Sequence, residues 1–301
     1  MSKEKTRKLT RQEKALIRTK NKISSPIASA ISIVIAVVWT VPTIGLLVTS
    51  FRDNRRALSK TGWWESFLPA NWGDFGIGNY ESVLTGGYNL SAYFVNSFVI
   101  TIPGVLIPIT LALLAAYAFA WCDFKGKNIL FVFIFALQVV PIQVTMVPLL
   151  SQYVNWGLNN TFWVLWLSHT MFGLPLAIFL LHNFMVEIPR ELVEAARVDG
   201  AGHVQVFLKV ILPLMTPAIA SFGIFQFLWV WNDLLVALGF AGNTPATAPL
   251  TSRLSDMVGS RGSAWYLLAP GAFIAMLVPV AVFVFLQRYF VRGMLAGAVK
   301  G

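Results

Sequence analysis

From Asn128 to Val186 the chain carries no Asp, Glu, Lys or Arg, an uncharged run of 59 residues. Charged residues make up only 12% of the whole, hydrophobic residues 56%, and mean hydropathy is +0.68. A water-soluble fold has too little interior to hide that much apolar chain. Cysteine is nearly absent: Cys122 alone excludes an intramolecular disulfide and leaves the redox compartment undetermined. His169, His182 and His203 form no metal-ligand cluster in sequence. The first two fall on an apolar helix, where hydrogen-bonded packing accounts for them. The single Gly-Lys pair, Gly126-Lys127, is followed by Asn128 and lacks a glycine five positions earlier, which excludes a P-loop. There is no Gly-x-Ser-x-Gly motif, nucleophile–base pair or metal set, so an intramembrane enzyme finds no support.

What is present is a series of apolar runs long enough to cross a bilayer, which takes about 18 or more residues each. Ile27–Ser50 is the first. Ser91–Trp121 follows, longer than a bilayer requires, with Pro103 and Pro108 placed to kink it. The third covers about Ile129 to Leu150 with Pro141 and Pro148, the fourth Thr161 to about Met185 with Pro175. The fifth covers about Ala218 to Phe240, and the sixth Tyr266 to about Phe290, leaving an eleven-residue tail, 291–301. Between them lie a mixed loop (51–90), a polar turn (123–127), an uncharged hairpin (151–160) and a Gly/Pro/Ser/Thr-rich loop (241–265). No internal repeat is evident.

An all-α, six-span protein has both termini on one side, and charge chooses the side. The tail, the 122–128 turn, the 187–217 loop and the C-terminal end hold 17 Lys/Arg, against six on the other face. The positive-inside rule puts both termini in the cytoplasm. Residues 1–26 are a basic tail, with nine Lys/Arg by position 25, and 27–301 are the membrane domain. The tail reads as a topology determinant, with an anionic-lipid patch or a nucleic-acid arm as the other readings of its charge. Topology accounts for the net charge of +10, so no nucleic-acid partner is expected; membrane lipid is the surrounding medium.

The loop 187–217 is a charged island between apolar runs, carrying Glu187, Arg190, Glu191, Glu194, Arg197, Asp199 and Lys209. Pro189 suits a helix start, and carboxylates at Glu191 and Glu194 suit the early turns. Ala195 and Ala196 are small enough to let another surface approach. Asp199-Gly200 signals the stop, with Gly200 free to take a positive φ. Glu194-Ala195-Ala196, then Gly200 three residues on, then Val210-Ile211-Leu212-Pro213 nine residues later resembles the EAA loop of ABC-importer permeases. Val210 stands where that pattern has Ile.

The resemblance covers roughly residues 30–301, most securely 155–301. Gly157–Thr161 and Phe172-Gly173-Leu174-Pro175 fit the family. Phe227–Leu235, with Trp231-Asn232-Asp233, is similar to a Trp-Asn-acidic stretch of sugar-type permeases. The ending, Gln287-Arg288-Tyr289-Phe290 and then Gly293 to Gly301, resembles that of the MalG-like subunit of maltose and oligosaccharide importers, with Met294 and Ala296 replacing Leu and Thr. What this implies is a type I ABC-importer permease of a bacterial or archaeal plasma membrane. It would form half of a sugar pathway beside a MalF-like second permease, two ATP-binding subunits and an extracytoplasmic sugar-binding protein. The resemblance implies a non-catalytic subunit that binds no cofactor itself, ATP and Mg being held by the ATPase. It assigns ATPase docking to Glu191, Glu194, Ala195, Ala196, Arg197, Asp199, Gly200 and Pro213, and a C-terminal ATPase contact to Gly297, Val299, Lys300 and Gly301. Asn232 and Asp233 are pathway candidates, Asp233 being either functional or simply near enough the helix end to reach interfacial water. An ion-driven secondary transporter stays open as the rival class, but Asp233 alone, without a repeat, argues against it. A permease for a non-sugar solute is the other alternative.

Overall fold

The computed structural model describes residues 26–53, 61–258 and 265–298; in the last segment, side chains are described for 266–287. The basic tail up to Ser25 and the last three residues lie outside that range. Four helices are long and apolar enough to cross a membrane, or up to six if each of two bent pairs counts as one span. Among the described residues there is no β-strand, only an isolated bridge between Arg52 and Phe75.

Residues up to Gly76 form one compact unit and Ile77 onward another. The first holds α1 (Pro26–Ser50), whose 25 residues reach about 37 Å at 1.5 Å each, enough for a bilayer core. Only Gly45 and Ser50 of α1 are buried. A Cβ at Gly45 would come within 2.8 Å of the Trp63 indole, so glycine lets that ring lie against the helix. Arg52, 1% exposed, donates to Thr61 Oγ1 at 2.6 Å and to the Gly62 carbonyl at 3.3 Å, closing the loop beyond α1.

The second unit begins with α2 (Gly78–Thr85) and α3 (Leu90–Trp121). Then come α4 (Lys127–Ala136), α5 (Ile142–Asn155), α6 (Trp163–Met185), α7 (Arg190–Val198) and α8 (His203–Val206). A π-turn (Phe207–Ile211) and one turn at Leu212–Leu214 lead into α9 (Thr216–Trp231), α10 (Leu235–Phe240), α11 (Leu250–Val258) and α12 (Trp265–Ala298). The most extensive interface is α3 against α6, with α9 packed on both. Ala112 and Ala116 of α3 and Ala177 of α6 are fully buried in one cluster with Leu181 and Met185. Small residues are what such an interface needs, because helices in lipid gain by close packing rather than by leaving water.

Four expectations are corrected. The third run is not one continuous helix: α4, prolonged by a 3-10 turn at Leu137–Val139, meets α5 at 99°. Pro141 is the cause, since it has no N–H and holds Val140 and itself extended, at ψ 119° and 132°. The fifth run also breaks, at Asn232–Leu234, and its entry at Leu214–Thr216 bends by 71°. The 241–265 loop contains α11, whose Asp and Arg hid a helix within a Gly/Pro/Thr-rich context. Finally, α12 runs on through Ala298, so the expected eleven-residue tail, 291–301, continues the sixth helix as far as Ala298. Gly293 and Gly297 weaken that last stretch without breaking it.

Enlarging the α3–α6 seam tests this packing. Ala116→Leu should cost about 1–3 kcal/mol by overpacking and lower the thermal unfolding midpoint in detergent. Val132→Ala, at a position 65% exposed, should leave it unchanged.

Candidate functional site

The 187–217 loop folds as a short helix closed at both ends. Pro189, extended at ψ 131°, precedes α7, whose first turn carries Glu191 and whose last carries Arg197. Gly200 takes φ +83°. Its N–H donates to the Arg197 carbonyl at 3.0 Å, and Ala201 N–H donates to Ala196 O at 2.9 Å. That pair of bonds is the Schellman closure, which a left-handed glycine permits.

Nine residues are too few to hold a helix in water unaided. The anchor is Val193, 2% exposed and part of the same core cluster as Ala116, Leu181 and Met215. Downstream, Val206 and Ile211 are fully buried in that cluster too. Tyr117, near the end of α3, bonds His203 Nδ1 at 3.0 Å and packs edge-on to Phe207, with ring centroids 5.3 Å apart. The loop is therefore fixed to the ends of α3 and α6 rather than hung from them.

Its other face is open. Glu191, Glu194, Ala195, Arg197, Asp199, Gly200 and Pro213 are exposed, whereas Ala196 is half-buried against the core. So the two alanines do different work: Ala195 faces outward, and Ala196 fits under the helix. Glu194 forms no hydrogen bond or ion pair among the described residues. Beside it, a cavity of about 190 Å3 is walled by Trp121, Asp123, Lys127, Arg190, Glu194 and Arg197. Sequence reasoning missed the apolar part of this face. Leu192, Val198, Val204 and Leu208 are 46%, 88%, 70% and 52% exposed. Their hydrophobicity within a charged loop was the available signal.

The remaining sites lie elsewhere. Asn232 is exposed and donates to Leu228 O at 2.8 Å. The Asp233 side chain is only 8% exposed. It accepts from the N–H groups of Val236 at 3.3 Å and Ala237 at 3.0 Å, capping α10, and stands 3.9 Å from His169 Nε2. Gly297 is in the last turn of α12. Val299, Lys300 and Gly301 lie outside the described residues. No group of metal-ligating side chains occurs among the described residues.

Gly200→Ala should place a Cβ in the left-handed region at a cost of about 1–2 kcal/mol. Amide exchange at Gly200 and Ala201 should then speed up by roughly 5- to 30-fold, with Asn tolerated better. Unchanged exchange would mean that the turn does not hold the helix end.

Known proteins resemble the chain over most of its length. Residues 108–296 match the family described as binding-protein-dependent transport system inner membrane component. The osmoprotective compounds uptake permease protein GgtD of a Synechocystis strain is 52% identical over 276 residues, 91% of this chain and 92% of that protein. The alpha-glucoside transport system permease protein AglG of Rhizobium meliloti is 49% identical over 232 residues, 75% of this chain and 61% of that protein. A chain in the crystal structure of a bacterial ABC transporter that imports the acidic polysaccharide alginate shares the fold. Its TM-score is 0.70 at 20% identity, over 95% of this chain and 100% of that one. The family match contains α7, both broken runs and Asp233, and with it the chain belongs to the binding-protein-dependent inner membrane components, the permeases of ABC importers.

Proposed function

We propose that the chain is the permease subunit of a sugar importer, forming half of a pathway through the inner membrane. Its partners are a second, MalF-like permease, two ATP-binding subunits and an extracytoplasmic binding protein. The solute class is α-glucosides or related oligosaccharides, in keeping with relatives at 52% and 49% identity named for osmoprotective compounds and alpha-glucosides. The observation that carries the mechanism is α7: a helix with an open face, rooted in the core cluster shared by α3, α6 and the entry to α9.

The charge bias supports a cytoplasmic position for the termini and for the 187–217 loop. There α7 docks in the ATPase, with Glu191, Glu194, Arg197 and Asp199 as charged contacts and Ala195 allowing close approach. Ala196, Gly200 and Pro213 shape the helix and its exit. Leu192 and Val198 supply buried apolar contact. Closure of the ATP-binding pair moves α7, and the shared cluster passes that movement to the ends of three membrane helices. Those helices rock as rigid bodies between inward-open and outward-open states. ATP and Mg are bound and ATP is hydrolysed by the partner, this chain supplying neither nucleophile nor phosphate cradle. Gly297, Val299, Lys300 and Gly301 make a second ATPase contact; this rests on the sequence of the ending alone. Asp233 we assign to holding the break after α9, and Asn232 beside it to the pathway surface.

The test is reconstitution of the complex with maltose and trehalose as transported probes. Val198→Asp puts a charge at the apolar centre of the contact and should weaken ATPase binding about thirtyfold, the size of an interface hot spot. ATP-driven uptake should fall with it while the permease pair stays assembled. Uptake that persists without the ATPase and follows an ion gradient contradicts the proposal.

A further inference from the structure

Two cavities, of about 210 Å3 and 250 Å3, adjoin at the break in the third apolar run and share Gln138, Ile142 and Phe172 in their walls. We infer that they form a subsite in this subunit for a ring of an uncharged sugar, an inference that rests on the sugar-importer reading above. Gln226 and Gln138 bind hydroxyls, and Phe172 and Trp229 present apolar faces to the ring.

Depth is the first argument. Phe172, Gly173 and Leu176 lie at the middle of α6 (Trp163–Met185), halfway along a helix long enough to span. Irregular backbone at such depth survives where it is buried in protein or lines a watery cavity. The break at Val139–Pro141 does the latter, since Gln138, Val140 and Ile142 are wall residues.

Gln226 is the second. It is fully buried and lines the first cavity. Its Nε2 donates to the Gly104 carbonyl at 3.1 Å and faces the His169 carbonyl at 3.5 Å. Two carbonyl neighbours fix which end of the amide is the nitrogen. The Oε1 acceptor is left without a partner, a costly state unless a donor arrives. A Cβ at Gly173 would stand 2.9 Å from both amide atoms, so glycine there keeps Gln226 in place.

Composition of the walls selects the ligand. Neither cavity has an Asp, Glu, Lys or Arg in its wall. An ionic solute would find no counter-charge, and a wholly apolar one would leave Oε1 unpaired. A sugar ring brings both hydroxyl donors and an apolar C–H face. Each cavity is below the ~300–1,000 Å3 of ligand sites that enclose larger molecules, which fits a single ring rather than a whole oligosaccharide.

The test uses the assembled complex in proteoliposomes with its binding protein, and maltose and trehalose as probes. Gln226→Met should lower sugar transported per ATP hydrolysed about tenfold, the worth of one such hydrogen bond. Binding-protein-stimulated ATP hydrolysis and binding-protein affinity should stay as in the unaltered complex, which a merely misfolded permease would not manage. Gln138→Met, at an exposed position, should act in the same direction and decides the matter if Gln226→Met fails to assemble. Unaltered transport stoichiometry and KM in the variants would mean that only water occupies the cavities, and the subsite is wrong. If the unaltered complex drives neither sugar with ATP, the sugar-importer reading fails first and the subsite with it.

Discussion

Inside hydrocarbon a backbone N–H or C=O has no water to bond, and the two broken runs among the described residues are shaped by that constraint. The breaks in the third and fifth runs do not leave open ends. At the first, Val140 N–H is taken by Leu137 O at 3.1 Å, while Pro141 has no N–H to satisfy. At the second, the Asp233 carboxylate takes two N–H groups of α10 and its carbonyl accepts from Thr251 Oγ1. Asn96 does similar work from α3, donating to the Pro245 and Ala248 carbonyls at 2.8 and 3.0 Å, and Ser97 Oγ accepts from Leu250 N–H at 2.8 Å. Polar side chains in this fold are thus largely occupied with repairing backbone. The Gln226 Oε1 is among the exceptions, buried without a partner as are Thr101 Oγ1, Thr170 Oγ1 and Ser252 Oγ.

Packing also explains how a nine-residue helix is held rigid. α7 has no stability of its own to spare, so its rigidity is borrowed from the α3–α6 seam through Val193, Val206 and Ile211. Force applied to its open face therefore meets a packed interior rather than a loose loop. Tyr117 extends the connection by tying the end of α3 to His203. Coupling between a soluble motor and a membrane pathway needs a stiff route, and under the proposed function this packed cluster is that route.

Much of this was legible in the sequence because membrane chemistry writes large. Long uncharged runs marked the helices, and Glu194-Ala195-Ala196 with Gly200 in register marked α7 and its left-handed stop. What stayed hidden was tertiary. Pro141, Pro148 and the prolines of α3 look alike in sequence. Only Pro141 breaks its run, because α3 stays continuous through Pro103 and Pro108, and α5 through Pro148. Asp233 read either as a functional group or as one near an interface, and neither reading held the local task its carboxylate performs, accepting from two N–H groups of α10 beside the break. The exposed apolar residues of the loop, Leu192 and Val198, were readable but were overshadowed by the charges around them. The Gln226–Gly173 contact joins residues far apart in the chain and had no local signal at all.

The central claim is that α7 faces the cytoplasm and is covered by the ATP-binding subunit. Accessibility of a single thiol tests it directly, using Ala195→Cys in a Cys122→Ser background and a membrane-impermeant maleimide on oriented vesicles. The account predicts labelling from the cytoplasmic side only, and protection when the ATP-binding subunits are added. Labelling from the opposite side, or labelling that the ATPase leaves unchanged, would contradict it.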